Sequence, residues 1–342
     1  MHKRFLFLFG VAAVLCLIHA VPSGASSFYE GKTIRLVVGT SAGGGFDTYA
    51  RVLARHMGKH VPGNPAVIVE NMPGAGGLIA ANHLYKVAKP DGFTIAHFNG
   101  NLFLEQVLGG EGVGFDSRKF EYLGTMMKGS AVFVLSKASG ITSVDKWMAS
   151  KTPVKLGGVG PGNLATDNVP KILKESVGLP LQLVSGYSGT AEIRLATEGG
   201  EVAGCCFGWD VIKSTWQKAL QTGDIVVVLQ AAPKPLPDLP KIPLAISLAK
   251  TDEARKLIDV GIHSTLTFTR PFVLPPGTPK DRVQTLRTAF QETLKDKELL
   301  AETQKARLEI DPVSGEEVER LVAGLFKHDP ALLAKLKGIV SK

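Results

Sequence analysis

The strongest constraint on the fold is a unit that recurs along the chain: a short β-branched run, a glycine-rich turn, then the start of a helix. Its first copy is Ile34-Arg-Leu-Val-Val-Gly-Thr-Ser-Ala-Gly-Gly-Gly-Phe-Asp-Thr-Tyr-Ala-Arg51, with helical spacing continuing to Met57 through Tyr49, Val52 and Leu53. Ala66 to Val69 reads as the next strand. Leu78 to Val87 reads as a helix with Leu78, Ala81, Leu84 and Tyr85 on one face, and Thr94 to Phe98 as a third strand. Strand, helix, strand, helix, strand at these spacings predicts parallel strands with right-handed crossovers, hence an α/β sheet covered by helices. Ligands in such sheets sit outside the carboxyl ends of the strands, an edge that would gather Gly39 to Gly45, Asn71 to Gly77 and Asn99 to Asn101. Gly43 to Gly45 have no Cβ to keep a ligand off the backbone, and the first-turn N–H groups and dipole of the following helix favour a carboxylate or phosphate. Asp47 stands where that helix needs an N-cap, a role compatible with ligand contact.

The unit returns from Ala131 onward. Val132 to Leu135 is strand-like and Val144 to Ala149 a short helix. Val154 to Leu156 runs into Gly157-Gly-Val-Gly-Pro-Gly-Asn163 and a helix from about Ala165 to Val177. Leu181 to Val184 ends in Gly186-Tyr-Ser-Gly-Thr190 and a helix to Thr197, so Asn163, Thr166 and Thr190 stand as caps or direct donors. Val202 to Phe207, a helix from Trp209 to Leu220 and Ile225 to Leu229 close this part. Ala232-Pro-Lys-Pro-Leu-Pro-Asp-Leu-Pro240 is too proline-rich for a helix or central strand and reads as a crossing segment. Phe268 to Gly277 supplies strand and turn. Lys280 to Leu294, Glu298 to Ala306 and Gly315 to Phe326 are helical, with a capping-box spacing from Ser314 to Glu317.

Lys3 and Arg4 precede the apolar run Phe5 to Ile18, and Pro22-Ser-Gly-Ala25 offers small residues to a signal peptidase. Residues 1–25 are therefore expected to be a signal peptide cleaved after Ala25. The apolar run is shorter than the roughly 20 residues of a membrane span, and an exported, soluble protein is expected. Removing Lys3 and Arg4, two positive charges, leaves +6 of the formal +8. The remaining Lys and Arg are scattered, with no run interleaved with aromatics, which argues against nucleic acid and for a modest field that steers small acids. Only Cys205 and Cys206 follow the leader, so no disulfide framework is expected and both read as small buried hydrophobes. A mature chain of about 315 residues exceeds the roughly 250 to 300 at which single cores stop growing, so two domains are expected.

Enzyme motifs fail residue by residue. Gly43-Gly-Gly-Phe-Asp-Thr48 lacks the Gly-Lys-Ser/Thr ending of a P-loop, and neither it nor Gly74-Ala-Gly-Gly-Leu-Ile79 completes the dinucleotide fingerprint. Gly186-Tyr-Ser-Gly189 resembles a nucleophile elbow until Thr190 replaces the final glycine. His56 and His60 share a helix face, yet Met57 stands where a zincin carries glutamate, so both read as solvated face residues and no metal is expected. His83 and His97 carry no ranking signal. Asn71, Asn99 and Asn163 are turn formers with a possible ligand contact. Arg194 and Arg270 are expected in surface or interdomain ion pairs.

Together, Leu36-Val-Val-Gly-Thr-Ser-Ala-Gly-Gly-Gly-Phe-Asp-Thr-Tyr-Ala-Arg51, Val69-Glu-Asn-Met-Pro-Gly-Ala-Gly-Gly77, Lys89-Pro-Asp-Gly92, Gly186-Tyr-Ser-Gly189 and Leu274-Pro-Pro-Gly-Thr-Pro279 resemble the Bug family, periplasmic solute receptors of bacterial tripartite tricarboxylate transporters. The resemblance covers nearly the whole mature chain. It implies an α/β, two-lobed periplasmic binding protein of type II, or Venus flytrap, form with a cleft between two sheet-and-helix domains. Residues 28–130 and 231–342 would make lobe I and 131–230 lobe II. The implied ligand set is Ser41, Ala42, Gly43, Gly44 and Asp47 from the first lobe, with Asn99 beside them, and Asn163, Thr166, Ser188, Thr190 and Phe207 from the second. Phe207 stands where many members carry an acidic residue near a strand end. The implied function is capture of a small carboxylate by closure of the lobes and delivery to membrane permease subunits, by a periplasmic monomer without cofactor or catalysis. The rival is an α/β enzyme acting on a small anion in the same cleft, for which no nucleophile, acid/base pair or metal site is recognisable. The loop reading also predicts that Gly44→Val fills the anion space and weakens binding.

Overall fold

In the computed structural model, which describes residues 28–160 and 162–342, eleven strands form two sheets. The expected signal peptide lies outside the described residues. Strands β1 (Thr33–Val38), β2 (Ala66–Asn71), β3 (Thr94–His97) and β4 (Glu121–Thr125) belong to the first sheet. Strands β5 (Val132–Ser136), β6 (Val154–Gly158), β7 (Leu181–Ser185), β8 (Gly204–Phe207) and β9 (Ile225–Gln230) make the second, and β10 (Pro271–Leu274) and β11 (Val313–Ser314) return to the first. The orders are β11-β4-β10-β3-β1-β2 and β7-β6-β8-β5-β9.

The recurrent unit produces the parallel part of each sheet. Strand β1 pairs in parallel with β2 and β3, with Val38 opposite Asn71 and His97, so the three following turns leave from one edge. In the second sheet β6 is parallel to β7 and β8, and β5 is antiparallel to β8 and β9. Helix Gly45–Met57 forms because Tyr49, Ala50, Val52, Leu53 and Met57 recur at helical spacing and bury one face against the sheet. Gly39, where β1 turns toward that helix, admits no side chain: a Cβ there would lie 2.9 Å from Phe98 Cβ and 3.0 Å from Gly77 Cα. Both remaining cysteines lie buried in β8 as free thiols, and burial pushes their pKa values up.

Several elements differ from the sequence expectation. Strand β4, central and buried along its length, carries Glu121 and Gly124, which hide it from a β-branched pattern. Helix Asn101–Val107 is likewise additional. The helix expected from Ala165 starts with a wide π turn, Leu164–Asn168, before α-helix Val169–Val177. Pro170 has no N–H to continue a regular ladder, and the wider turn accommodates it. The helix expected over Trp209 to Leu220 is two pieces, Trp209–Thr215 and Gln217–Thr222, broken at Trp216.

Parts of residues 231–342 also cover the second sheet. Helix Asp252–Ile258, the π turn Asp259–Ser264 and the last helix, Pro330–Val340, pack against helix Val169–Val177 of the second sheet. A Cβ on Gly261 would come within 2.7 Å of Ile172 and 2.8 Å of Leu336, which shows how closely the three segments meet. An apolar helix face declares that it is covered, without saying by which sheet.

His97 is fully buried in β3, stacked on Phe272 with ring centroids 4.0 Å apart, and its Nδ1 lies 3.0 Å from the Pro271 carbonyl oxygen. Burial pushes its pKa down from 6.5 to about 3. The unfolded chain therefore takes up a proton near pH 6.5 that the folded chain refuses. Stability from this group is whole above that pH and falls below it, by about 1.4 kcal/mol per pH unit or about 2 kcal/mol down to pH 5. Unfolding free energies from urea denaturation at pH 7.5 and pH 5 should differ less in His97→Phe than in wild type by that amount; equal differences would assign the acid sensitivity elsewhere.

Candidate functional site

At the carboxyl edge of the first sheet the chain turns through Gly43, with φ of +83°, and enters the helix at Gly45, with Gly44 in the N-cap position. Asp47 is thus the third helical residue and not the cap. From there its carboxylate reaches back to accept from Gly43 N (2.8 Å), from Arg51 Nε (2.8 Å) and from Asn71 Nδ2 (2.9 Å). Asn71 Nδ2 also donates to the Thr40 carbonyl at 2.9 Å. The Arg51 guanidinium first, then the Gly43 and Asn71 donors, hold the Asp47 pKa down at about 2 against the opposing effect of burial. Asp47 is a brace for the loop, its oxygens engaged within it.

The second sheet repeats the device with a residue the sequence reading passed over. Asp167, fully buried, accepts from Val159 N and Gly160 N (both 3.0 Å), Thr166 Oγ1 (2.5 Å) and Ser185 Oγ (2.9 Å). Asn163 Oδ1 caps the same turn by accepting from Thr166 N at 3.2 Å. An acid in the first turn after each glycine loop, in Gly44-Gly-Phe-Asp47 and Gly162-Asn-Leu-Ala-Thr-Asp167, was the available signal. The jaws also touch directly: Asn101 Nδ2, beside the first-sheet loops, donates to the Gly162 carbonyl at 3.1 Å.

Between the sheets lies a cavity of about 610 Å³. Of the residues expected from sequence, Gly43, Asn99, Asn163, Thr166, Thr190 and Phe207 line it. Gly45, Phe46, Tyr49, Leu164, Asp210 and Arg270 line it too, and were not expected. Ser41, Ala42, Gly44 and Asp47 are not on that lining. The loop points its outer residues to solvent and turns only Gly43 and the helix start inward, while Asp47 is buried beneath. Ser188 is also off the lining; its N–H and hydroxyl both donate to Glu192, at 2.6 and 2.7 Å. The steric test proposed at Gly44 moves accordingly. A Cβ on Gly44 would meet only Ser41 O at 3.8 Å, whereas one on Gly45 would stand 3.3 Å from Arg270 Nη2.

Arg270, just before β10, crosses the cleft to the second-sheet helix Trp209–Thr215 and donates to Asp210 Oδ2 at 3.3 Å. This is the interdomain ion pairing expected of it. His56 and His60 are not on a solvated face: His56 Nε2 lies 2.7 Å from Glu302 and His60 Nε2 2.7 Å from Asp296, where helix Gly45–Met57 packs on helix Lys297–Ala306 and its 3₁₀ extension on helix Lys280–Thr293. His56, Asp296 and Glu298 place possible ligand atoms within 4.8 Å of one another. The Lys59 ammonium lies between the two acids, at 2.7 and 2.5 Å, where a cation would otherwise sit.

Two glycine loops, each ending in a helix start and each braced by an acid, thus face one another across a cavity between two α/β sheets. The model of the tripartite tricarboxylate transporter family receptor matches residues 49–337. The chain belongs to this receptor family. A UPF0065 protein in the gbd 5′ region of Cupriavidus necator is 26% identical over 341 residues, covering 98% of this chain and 97% of that protein. A solute-binding protein of the family from Polaromonas shares the fold with a TM-score of 0.69 and 19% identity, over 92% of this chain and 99% of its own. An R. palustris protein solved with adipate gives 0.67 and 20%, over 90% and 98%. The two-lobed binding-protein architecture implied by the loop motifs therefore holds, and the receptor's family and fold are those of solute-binding proteins, not of the rival enzyme class.

Proposed function

We propose that this receptor captures a small carboxylate in the cavity between its sheets, in the periplasm, and as a monomer presents it to the permease subunits of a tripartite tricarboxylate transporter. The observation that carries this reading is the convergence of two braced glycine loops, one from each sheet, on one cavity lined by Gly43, Gly45, Thr166 and Thr190. The backbone N–H groups of Gly45 and Phe46 open helix Gly45–Met57 without a residue four places earlier in the helix to accept them, so they are donors for an anion. The R. palustris neighbour with adipate supports a carboxylate of that size. An acid that touches both loops binds the closed arrangement better than the open one, and that difference in affinity is what shifts the population toward closure. The permease then meets a surface that exists only when solute is held.

A thermal-shift screen of mono-, di- and tricarboxylates on protein refolded free of solute should find at least one stabilising acid. A ligand at a hundred times its dissociation constant adds about 2.7 kcal/mol to stability. A flat response across the whole panel would overturn the reading.

A further inference from the structure

We propose that Arg270 is the charged recognition residue of the cleft, and that Asp210 is a resident counter-ion which a solute carboxylate displaces from it. This rests on the carboxylate reading above and adds the residue pair that selects charge. Only a small part of either side chain is exposed, 14% for Arg270 and 15% for Asp210, and both line the cavity between the sheets.

The Arg270 guanidinium is under-coordinated for its burial. It has five N–H donors in a fork that fits a carboxylate through two parallel bonds. Here Nη2 makes one long bond, 3.3 Å, to a single oxygen of Asp210, and Nη1 points at the Met127 sulfur at 3.1 Å, a weak acceptor. The guanidinium carbon also lies over two rings, 5.4 Å from the centroid of Phe46 and 5.0 Å from that of Tyr49. Both rings line the cavity with Arg270, so the cation is held at the cavity wall by aromatic contact. Its Nη2 lies beside Gly45, the residue that opens helix Gly45–Met57: a Cβ there would stand 3.3 Å away. A carboxylate entering there meets the guanidinium and the helix-start N–H groups together.

Asp210 is suited to give way. It sits in the first turn of helix Trp209–Thr215, where the helix end itself favours negative charge, so release from Arg270 does not strand it. Because Arg270 and Asp210 come from different sheets, exchange of Asp210 for a solute carboxylate also links occupancy to the contact between the jaws. Arg307, the other arginine on the lining, is exposed and donates to Gln217, a neutral partner.

The test is calorimetric titration of wild type, Arg270→Gln, Arg270→Lys and Asp210→Asn with succinate, malate and adipate, and with the neutral diamides of succinate and adipate. A charged hydrogen-bond pair carries a discrimination of about 10- to 100-fold. Arg270→Gln should weaken the acids by that factor while moving the diamides less than about threefold. Arg270→Lys, which keeps the charge and loses the fork, should fall between, and Asp210→Asn should tighten the acids several-fold. Equal weakening of acids and diamides by Arg270→Gln would reduce Arg270 to a packing role and overturn the proposal, as would weaker acid binding by Asp210→Asn. Absence of binding of all three acids to wild type, together with a flat thermal-shift response across the wider acid panel, would overturn the carboxylate reading and this proposal with it, an outcome distinct from binding that Arg270→Gln leaves unchanged.

Discussion

Gly45→Val should abolish detectable carboxylate binding, a loss of at least about 100-fold, while the folded protein persists. The expected size follows from blocking two charge-assisted hydrogen bonds at about 1.5 kcal/mol or more each. Gly45 opens helix Gly45–Met57, and its φ lies outside the left-handed region, so a β-branched residue meets no backbone strain there. A Cβ already approaches Arg270 Nη2 to 3.3 Å, and two further methyl groups would occupy the space between the helix start and the guanidinium. Gly44→Val, one residue earlier, projects into open space off the cavity lining and should keep affinity within a few-fold. Titration of both variants with the strongest acid from the thermal screen decides the matter: binding by Gly45→Val equal to that of Gly44→Val would place the anion elsewhere in the cleft.

Asp167→Ala should be the most destabilising single change in the second jaw, at about 3 to 5 kcal/mol, and should remove binding as well. Four donors converge on this buried carboxylate, and they respond differently to its loss. The hydroxyls of Thr166 and Ser185 rotate to other acceptors, whereas the half-buried N–H groups of Val159 and Gly160 are fixed by the backbone: Gly160 N would lose its acceptor and Val159 N would keep only Thr166 Oγ1 at 3.4 Å. The loop that carries Asn163 and Thr166 to the cavity would then lose its template. Asp167→Asn keeps one carbonyl oxygen for the backbone donors and offers an amide to Ser185, so it should recover more than half of the lost stability. Urea denaturation of the three proteins measures this, and a cost below about 1 kcal/mol for Asp167→Ala would show that the loop holds itself.

Much of the fold was legible because its signals are local. The β-branched runs at Ile34 to Val38 and Ile225 to Leu229, and the glycine turns after Val38 and Gly158, need only their neighbours to be recognised. Strand β4 was not legible, since Glu121 is buried in the sheet by way of the Lys280 ammonium, 2.8 Å from both of its oxygens and 159 residues away. Asp47 shows a subtler limit. Its importance to the loop was apparent, but a shift of three positions in where the helix starts turned an N-cap facing the cleft into a brace beneath it.

The sequence by itself determined two α/β units, two glycine loops at strand ends and the membership of a receptor family, because each depends on residue type at short spacing. Which loop atoms face the cavity, which sheet the last helix covers and which cation meets which acid were decided only in the tertiary structure. Arg270 and Asp210 lie 60 residues apart and His60 and Asp296 lie 236 apart. Neither pair has a local pattern, and each exists because packing of whole elements brings two side chains to one place.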